Sequence, residues 1–309
     1  MGAGMLQALE LAKALEGGAL TPARLVDQIE DAIAEREPAV HAFAHLDIPA
    51  LREAAAYPAS GPLRGLPVAF KDIIDTARLP TEYGSPIYRG WRPRADATIV
   101  AMTEAAGGLL LGKAATTEFA FLEPARTTNP HDRARTPGGS SSGSAAGVAA
   151  GMMPLAFGTQ TGGSVIRPAA YCGVSAVKTS FRLLPMVGVK AGAWTLDTLG
   201  LFGARTADVA FGLEAITGRP LRVDGRTPAA PRIGVCRMPF AGTPEPEGEQ
   251  ALEVAIKAAE RAGATLVDVE MPAEFAAAHE AHPILYDYEG AHALAWEIRA
   301  RSDLLAPVR

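Results

Sequence analysis

Two glycine-serine turns and one lysine are the residues of this chain best suited to covalent chemistry. The first turn is Gly138-Gly139-Ser140-Ser141-Ser142-Gly143-Ser144, and the second is Thr161-Gly162-Gly163-Ser164. Each precedes a helix-forming run. Each therefore sets a serine and several backbone N–H groups at a helix N-terminus, where free donors and the helix dipole favour a developing negative charge. The glycines ahead of Ser164 also let the backbone approach a bound molecule closely. Lys71 directly follows the apolar run Leu66-Pro67-Val68-Ala69-Phe70, at the end of a predicted strand, where open α/β sheets place their sites. A serine hydroxyl is a poor nucleophile without a base, and a lysine serves as base only when burial lowers its pKa. Taken singly, each feature has a plainer reading. Gly/Ser runs are most often loops or linkers, and a lysine at a strand end most often extends its amine to solvent. Against that, both runs lie between apolar segments, they share one strand-helix unit, and the lysine closes an apolar run.

The elements that must hold these residues alternate in type. Thr21 is a candidate N-cap with Pro22 at the first helical position, and Leu25, Ile29 and Ile33 recur on one helical face. A helix is predicted over Thr98 to Ala106, broken by Gly107-Gly108 before the strand Leu109 to Leu111. The Ala/Gly-rich run Ser144 to Met153 predicts a buried helix, and Thr206 to Thr217 another, closed by Gly218. Arg232 to Cys236 and Thr265 to Glu270 read as strands flanking a helix over Gly248 to Ala262, and a long helix is expected across Glu274 to Ala300. Pro239 to Glu249 reads as a surface loop. The alternation predicts an α/β fold with a mixed sheet flanked by helices on both faces.

Composition narrows the classes of function. The chain has 309 residues, 48% hydrophobic and 20% charged, which is ample for a large core. The 34 acids and 29 bases are interspersed and give a net charge of −5, so neither a nucleic-acid footprint nor a polybasic membrane patch is expected. There is no run of 18 apolar residues and no signal-peptide pattern at the start, so the expectation is a cytoplasmic protein without a membrane span. Cys172 and Cys236 are read as free thiols. The six histidines show no ligand spacing; no metal and no cofactor is expected.

The motifs together resemble those of the amidase signature family. Gly65 to Asp72 is similar to its lysine motif, Pro137 to Ala146 to its serine-glycine signature, and Thr159 to Ser164 to its nucleophile turn. The likeness continues through Leu111-Gly112-Lys113, Thr117-Glu118-Phe119, Cys172-Gly173-Val174, Val177-Lys178 and Leu196-Asp197-Thr198-Leu199-Gly200. It implies a serine amidase acting on a small-molecule carboxamide. Ser164 matches the nucleophile, Ser140 the bridging serine after a cis peptide bond, and Lys71 the base. The 24-residue separation of the serines also fits. The N–H groups of Thr161, Gly162, Gly163 and Ser164 would form the oxyanion hole.

Several positions depart from the family pattern. Gln160 stands where many members have aspartate, and Ser142 where many have glycine. The arginine usual two residues after the nucleophile falls three after it, at Arg167, and Lys178 to Arg182 replaces a more usual Lys-Pro stretch. Family members are also longer. The expectation is therefore one amidase signature domain over residues 1–309, truncated at its C-terminal end. An open sheet edge would then favour a homodimer, and the incomplete pocket would leave activity weak or absent.

Other readings stand beside the amidase. Ser175-Ala176-Val177-Lys178 matches the S-x-x-K of penicillin-recognising enzymes, but it reads as a strand and no S-D-N or K-T-G element follows. The Gly138–Ser144 turn lacks the G-K-[ST] of a nucleotide-binding loop. An inactive remnant, and the A-type subunit of a glutamine-dependent tRNA amidotransferase, are the remaining alternatives. Gln160 and Ser142 favour a general amidase over the latter.

Overall fold

A computed structural model describes residues 4–306 except 58–59, 227–228, 239 and 241. These residues form two compact units, one of residues up to Val223 together with those from Glu289 onward, the other from Asp224 to Tyr288.

The first unit is built on six strands: β1 (Phe43–Leu46), β2 (Pro67–Lys71), β3 (Leu109–Ala114), β4 (Leu155–Gln160), β5 (Ser175–Lys178) and β6 (Thr198–Gly203). Their order is β1-β3-β2-β4-β6-β5. The central strands β3, β2 and β4 run parallel, while β1, β6 and β5 pair antiparallel. Every residue of β2 and β4 is buried, which is why neither shows the alternation of a half-exposed strand. Being parallel neighbours, they end on the same side of the sheet, Lys71 on one and Gln160 on the other.

Helices cover both faces, as the sequence predicts. The first unit has α1 (Ala8–Glu16), α2 (Pro22–Val40), α3 (Ile48–Ala55), α4 (Thr98–Ala105), α5 (Ser142–Ala149), α6 (Ile166–Cys172) and α7 (Thr206–Thr217). The Leu155 side chain points to α7, where a Cβ on Gly212 would come within 2.9 Å of it. Gly158, of opposite parity on β4, faces Ser141 at the entry to α5, and a Cβ there would lie 2.5 Å from the Ser141 hydroxyl. Gly143 lets α5 start against the end of β3, since a Cβ would sit 2.2 Å from the Ala42 carbonyl and 2.3 Å from the Ala115 nitrogen. Thr21 caps α2 through the Arg24 N–H at 3.3 Å, and Leu25, Ile29 and Ile33 are buried.

The second unit holds β7 (Arg232–Cys236) and β8 (Thr265–Val269), a parallel pair joined through α8 (Pro246–Arg261). The helix α9 (Glu274–Ala293) begins here, and its residues from Glu289 belong to the first unit with α10 (Ala295–Arg301). No helix among the described residues is long and apolar enough to cross a membrane.

Three boundaries differ from those read in sequence. The helix expected to reach Met153 stops at Ala149, because Gly151 takes a φ of +67° and the Met152 and Met153 N–H groups fold back onto the Gly147 carbonyl. The final helix is two, broken where buried Leu294 leaves helical geometry. The loop expected over Pro239–Glu249 gives way at Pro246 to the first turn of α8, proline being suited to that position; positions 239 and 241 lie outside the described residues.

Candidate active site

Lys71 ends β2 with its side chain 0% exposed, so it does not reach solvent. Its amine donates to the Ser140 hydroxyl at 2.6 Å and to the Thr159 hydroxyl at 2.9 Å. Among the described residues no carboxylate pairs with it. Burial, which penalises the ammonium form, lowers its pKa to about 7, and the charge of Asp197 offsets part of that fall.

Ser140 sits in the first turn, just before α5. The Gly139–Ser140 peptide is cis, as the resemblance implies. The turn is held from three sides. The Thr117 N–H donates to the Ser140 carbonyl at 3.3 Å. The Arg167 guanidinium donates to the Gly139 carbonyl at 2.8 and 3.2 Å. The Ser141 hydroxyl joins the Thr159 backbone, donating to its carbonyl at 3.2 Å and accepting from its N–H at 3.3 Å. An arginine three residues after Ser164 thus still serves the site, by tying one turn to the other.

The second turn leaves β4 at Gln160 and enters α6. The Gln160 side-chain oxygen accepts from the Val165 and Ile166 N–H groups at 2.9 and 3.0 Å, and its amide nitrogen reaches the Gly162 carbonyl at 3.4 Å. A neutral carboxamide therefore supplies the acceptor that an aspartate would, and adds a donor. The Thr161 hydroxyl donates to Asp197 at 2.5 Å. The N–H groups of Gly162, Gly163 and Ser164 engage no other described residue. Ser164 is 9% exposed, and its carbonyl accepts from the Ser141 N–H at 3.4 Å, which joins the two turns. The structure thus brings Lys71 and Ser140 into direct contact and sets Ser164 in the adjoining turn. No hydrogen bond links the Ser164 and Ser140 hydroxyls in this arrangement.

Two participants escaped residue-by-residue reading. Thr159 shares the Lys71 amine, and Asp197 braces Thr161 from 36 positions away. Both lie inside segments whose family likeness is visible, but no local spacing pairs them with the site.

A second buried lysine stands nearby in the sheet. Lys113 of β3, also 0% exposed, lies 3.3 Å from an Asp72 oxygen and donates to the Ile74 carbonyl at 2.6 Å and the Thr81 hydroxyl at 2.5 Å. Burial pulls Lys113 down to about 8, opposed by Asp72. Among the described residues no group of three or more His, Cys, Asp or Glu side chains is placed to hold a metal ion.

The family model described as Amidase matches residues 24–305. The A-type subunit of glutamyl-tRNA(Gln) amidotransferase from Chloroflexus aggregans is 38% identical over 288 residues, covering 84% of this chain and 59% of the relative. The native peptide amidase of Stenotrophomonas maltophilia superposes with a TM-score of 0.81 at 30% identity, over 98% of this chain and 69% of that one. The corresponding amidotransferase subunit of Thermotoga maritima superposes at 0.74 with 29% identity, over 91% of this chain and 66% of that one. With this mixed sheet and these two serine turns, the chain belongs to the amidase (amidase signature) family. It spans about three fifths of the length of the curated relatives it matches.

Proposed function

We propose that this chain cleaves a primary carboxamide through an acyl-enzyme, with Ser164 as nucleophile, Ser140 as proton relay and Lys71 as base. The observation that carries the reading is the Lys71 amine: fully buried, 2.6 Å from Ser140, and surrounded by hydroxyls instead of carboxylates. Such an amine is substantially neutral near pH 7 and can accept a proton.

In the proposed cycle the Ser164 oxygen bonds to the substrate carbonyl carbon, and its proton passes through the Ser140 hydroxyl to Lys71. That transfer requires the Ser164 hydroxyl to turn toward Ser140 as substrate binds; such bonds often tighten only in the substrate complex. The carbonyl oxygen becomes an oxyanion facing the N–H groups of Gly162, Gly163 and Ser164, with Thr161 at the entry of the turn. A well-placed donor of this kind contributes roughly 2.7–4 kcal/mol to the transition state. The C–N bond breaks as Lys71 returns the proton through Ser140 to the leaving nitrogen, which departs as ammonia. Water then repeats the sequence on the ester and releases the acid.

Two finer readings share this chemistry. The relatives support a glutamine-using component of an amidotransferase, which would work with partner subunits. Gln160 and Ser142, together with the likeness to a peptide amidase, support a free-standing amidase. Of the two, the relatives at 38% identity favour the amidotransferase component.

Two measurements test the proposal. A fluorophosphonate probe should label the wild-type chain, and Ser164→Ala should not label. A wild-type chain that resists the probe would point to an inactive remnant. Ammonia release from glutamine, asparagine and simple aliphatic and aromatic amides then separates the finer readings, since an amidotransferase-type site should prefer glutamine.

A further inference from the structure

We propose that Glu289 is a positioning residue for the nucleophile turn, acting through the Thr195–Asp197 loop on Thr161. The proposal rests on the reading of Ser164 as nucleophile.

The connection begins at Asp197, which ends a loop leading into β6. One of its oxygens accepts from the Gly192 and Ala193 N–H groups at 2.8 and 3.0 Å, and the other accepts from the Thr161 hydroxyl. The loop is thereby closed on itself and fastened to the first residue of the turn that carries Gly162, Gly163 and Ser164. The loop in turn depends on the segment from Glu289 onward. Glu289 is 4% exposed, and its carboxylate accepts from the Thr195 N–H at 3.0 Å and the Thr195 hydroxyl at 2.5 Å. The next residue packs closely: a Cβ on Gly290 would lie 2.8 Å from the Phe121 ring and 3.6 Å from the Gly192 carbonyl. Eight residues past Glu289, the Glu297 carboxylate accepts from Lys190 at 2.6 Å and from the Tyr88 hydroxyl at 2.7 Å. The loop is thus gripped at Lys190 and at Thr195 by one segment.

Only the Thr195 grip leads directly to Asp197. A buried carboxylate is costly unless its lone pairs are used, and those of Glu289 are spent on this loop. Without Glu289, two donors of the exposed Thr195 lose their protein acceptor, and the loop that presents Asp197 loses one of its two anchors to this segment. A shift of Asp197 moves Thr161 and with it the donors that face the substrate oxygen. Small displacements of such donors matter because their contribution depends on geometry.

The test compares wild type, Glu289→Ala, Glu289→Gln and Ser164→Ala by hydrogen exchange and by the kinetics of fluorophosphonate labelling. Glu289→Ala is expected to raise exchange in two segments, 190–198 and 159–166, with the other segments unchanged. It should slow the labelling step about tenfold with little change in probe affinity, the size expected from loss of a buried acceptor. Glu289→Gln keeps one acceptor oxygen and should slow it about threefold. Faster exchange confined to 190–198 with labelling at the wild-type rate would overturn the proposal, as would a rise spread over every segment. Should Glu289→Ala not fold, Glu289→Gln is judged by the same two readouts. Persistent labelling of Ser164→Ala would retire the nucleophile reading alone, because exchange in 159–166 still reports whether Glu289 holds the turn.

Discussion

Lys71 and Lys113 end up on neighbouring parallel strands, both fully enclosed, yet their surroundings differ in one respect that decides what each can do. Lys113 faces the Asp72 carboxylate, a backbone carbonyl and a hydroxyl. Lys71 faces two hydroxyls, with Asp197 acting on it only through its charge. Burial depresses both amines, to about 7 at Lys71 and about 8 at Lys113, where the adjacent carboxylate favours the charged form and the amine joins β3 to the chain after β2. A hydroxyl can accept a hydrogen bond from a neutral or a charged amine and can also pass a proton on; a carboxylate stabilises the cation. A buried lysine ringed by hydroxyls is therefore suited to proton transfer, and one beside a carboxylate to holding structure.

The largest effect expected from this contrast follows replacement of the two lysines. Lys71→Arg and Lys71→Ala should both slow probe labelling about a thousandfold, because arginine cannot give up its proton. An arginine variant that labels at the wild-type rate would rule out Lys71 as the base. Lys113→Met should instead cost stability, about 3–5 kcal/mol, by leaving Asp72 buried without its partner. Chemical denaturation measures this, and Lys113→Met/Asp72→Asn should recover part of the loss. The folded Lys113→Met protein should still label within a few-fold of wild type.

One lysine pocket can be converted into the other. Thr159→Asp sets a carboxylate beside the Lys71 amine and should raise its pKa by roughly 1–3 units. In wild type the labelling rate should rise with pH through a midpoint near 7, as the amine loses its proton. In Thr159→Asp that midpoint should move to higher pH, and an unmoved midpoint would assign the titration to another group. The smallest effect belongs to Asp197, whose charge favours protonated Lys71 from a distance. Asp197→Asn removes it and should move the midpoint to lower pH by a fraction of a unit, alongside any loss from loosening Thr161.

Much of this site is legible along the chain. The strand ending at Lys71, the two turns before helices and the alternation that predicts an α/β fold are all local patterns, set by side-chain period and by glycine at turns. What cannot be read locally is the environment of each lysine. Lys71 and Lys113 both close or nearly close apolar runs, and their neighbours in sequence do not tell them apart. Their partners come from elsewhere: Ser140 and Thr159 for one, Asp72 and Thr81 for the other. The same holds for Gln160, whose position suggests a lost carboxylate until its carboxamide is seen accepting two N–H groups of the following helix. It holds again for Arg167, whose guanidinium reaches back 28 residues to Gly139. Residue type and local spacing determined which groups were available for chemistry. Only the packing of parallel strands, which carries β2 and β4 to the same side of the sheet and excludes water there, decided that one lysine meets hydroxyls and the other a carboxylate. The reason is physical: a pKa depends on what surrounds the amine in space, and sequence separation carries no information about that.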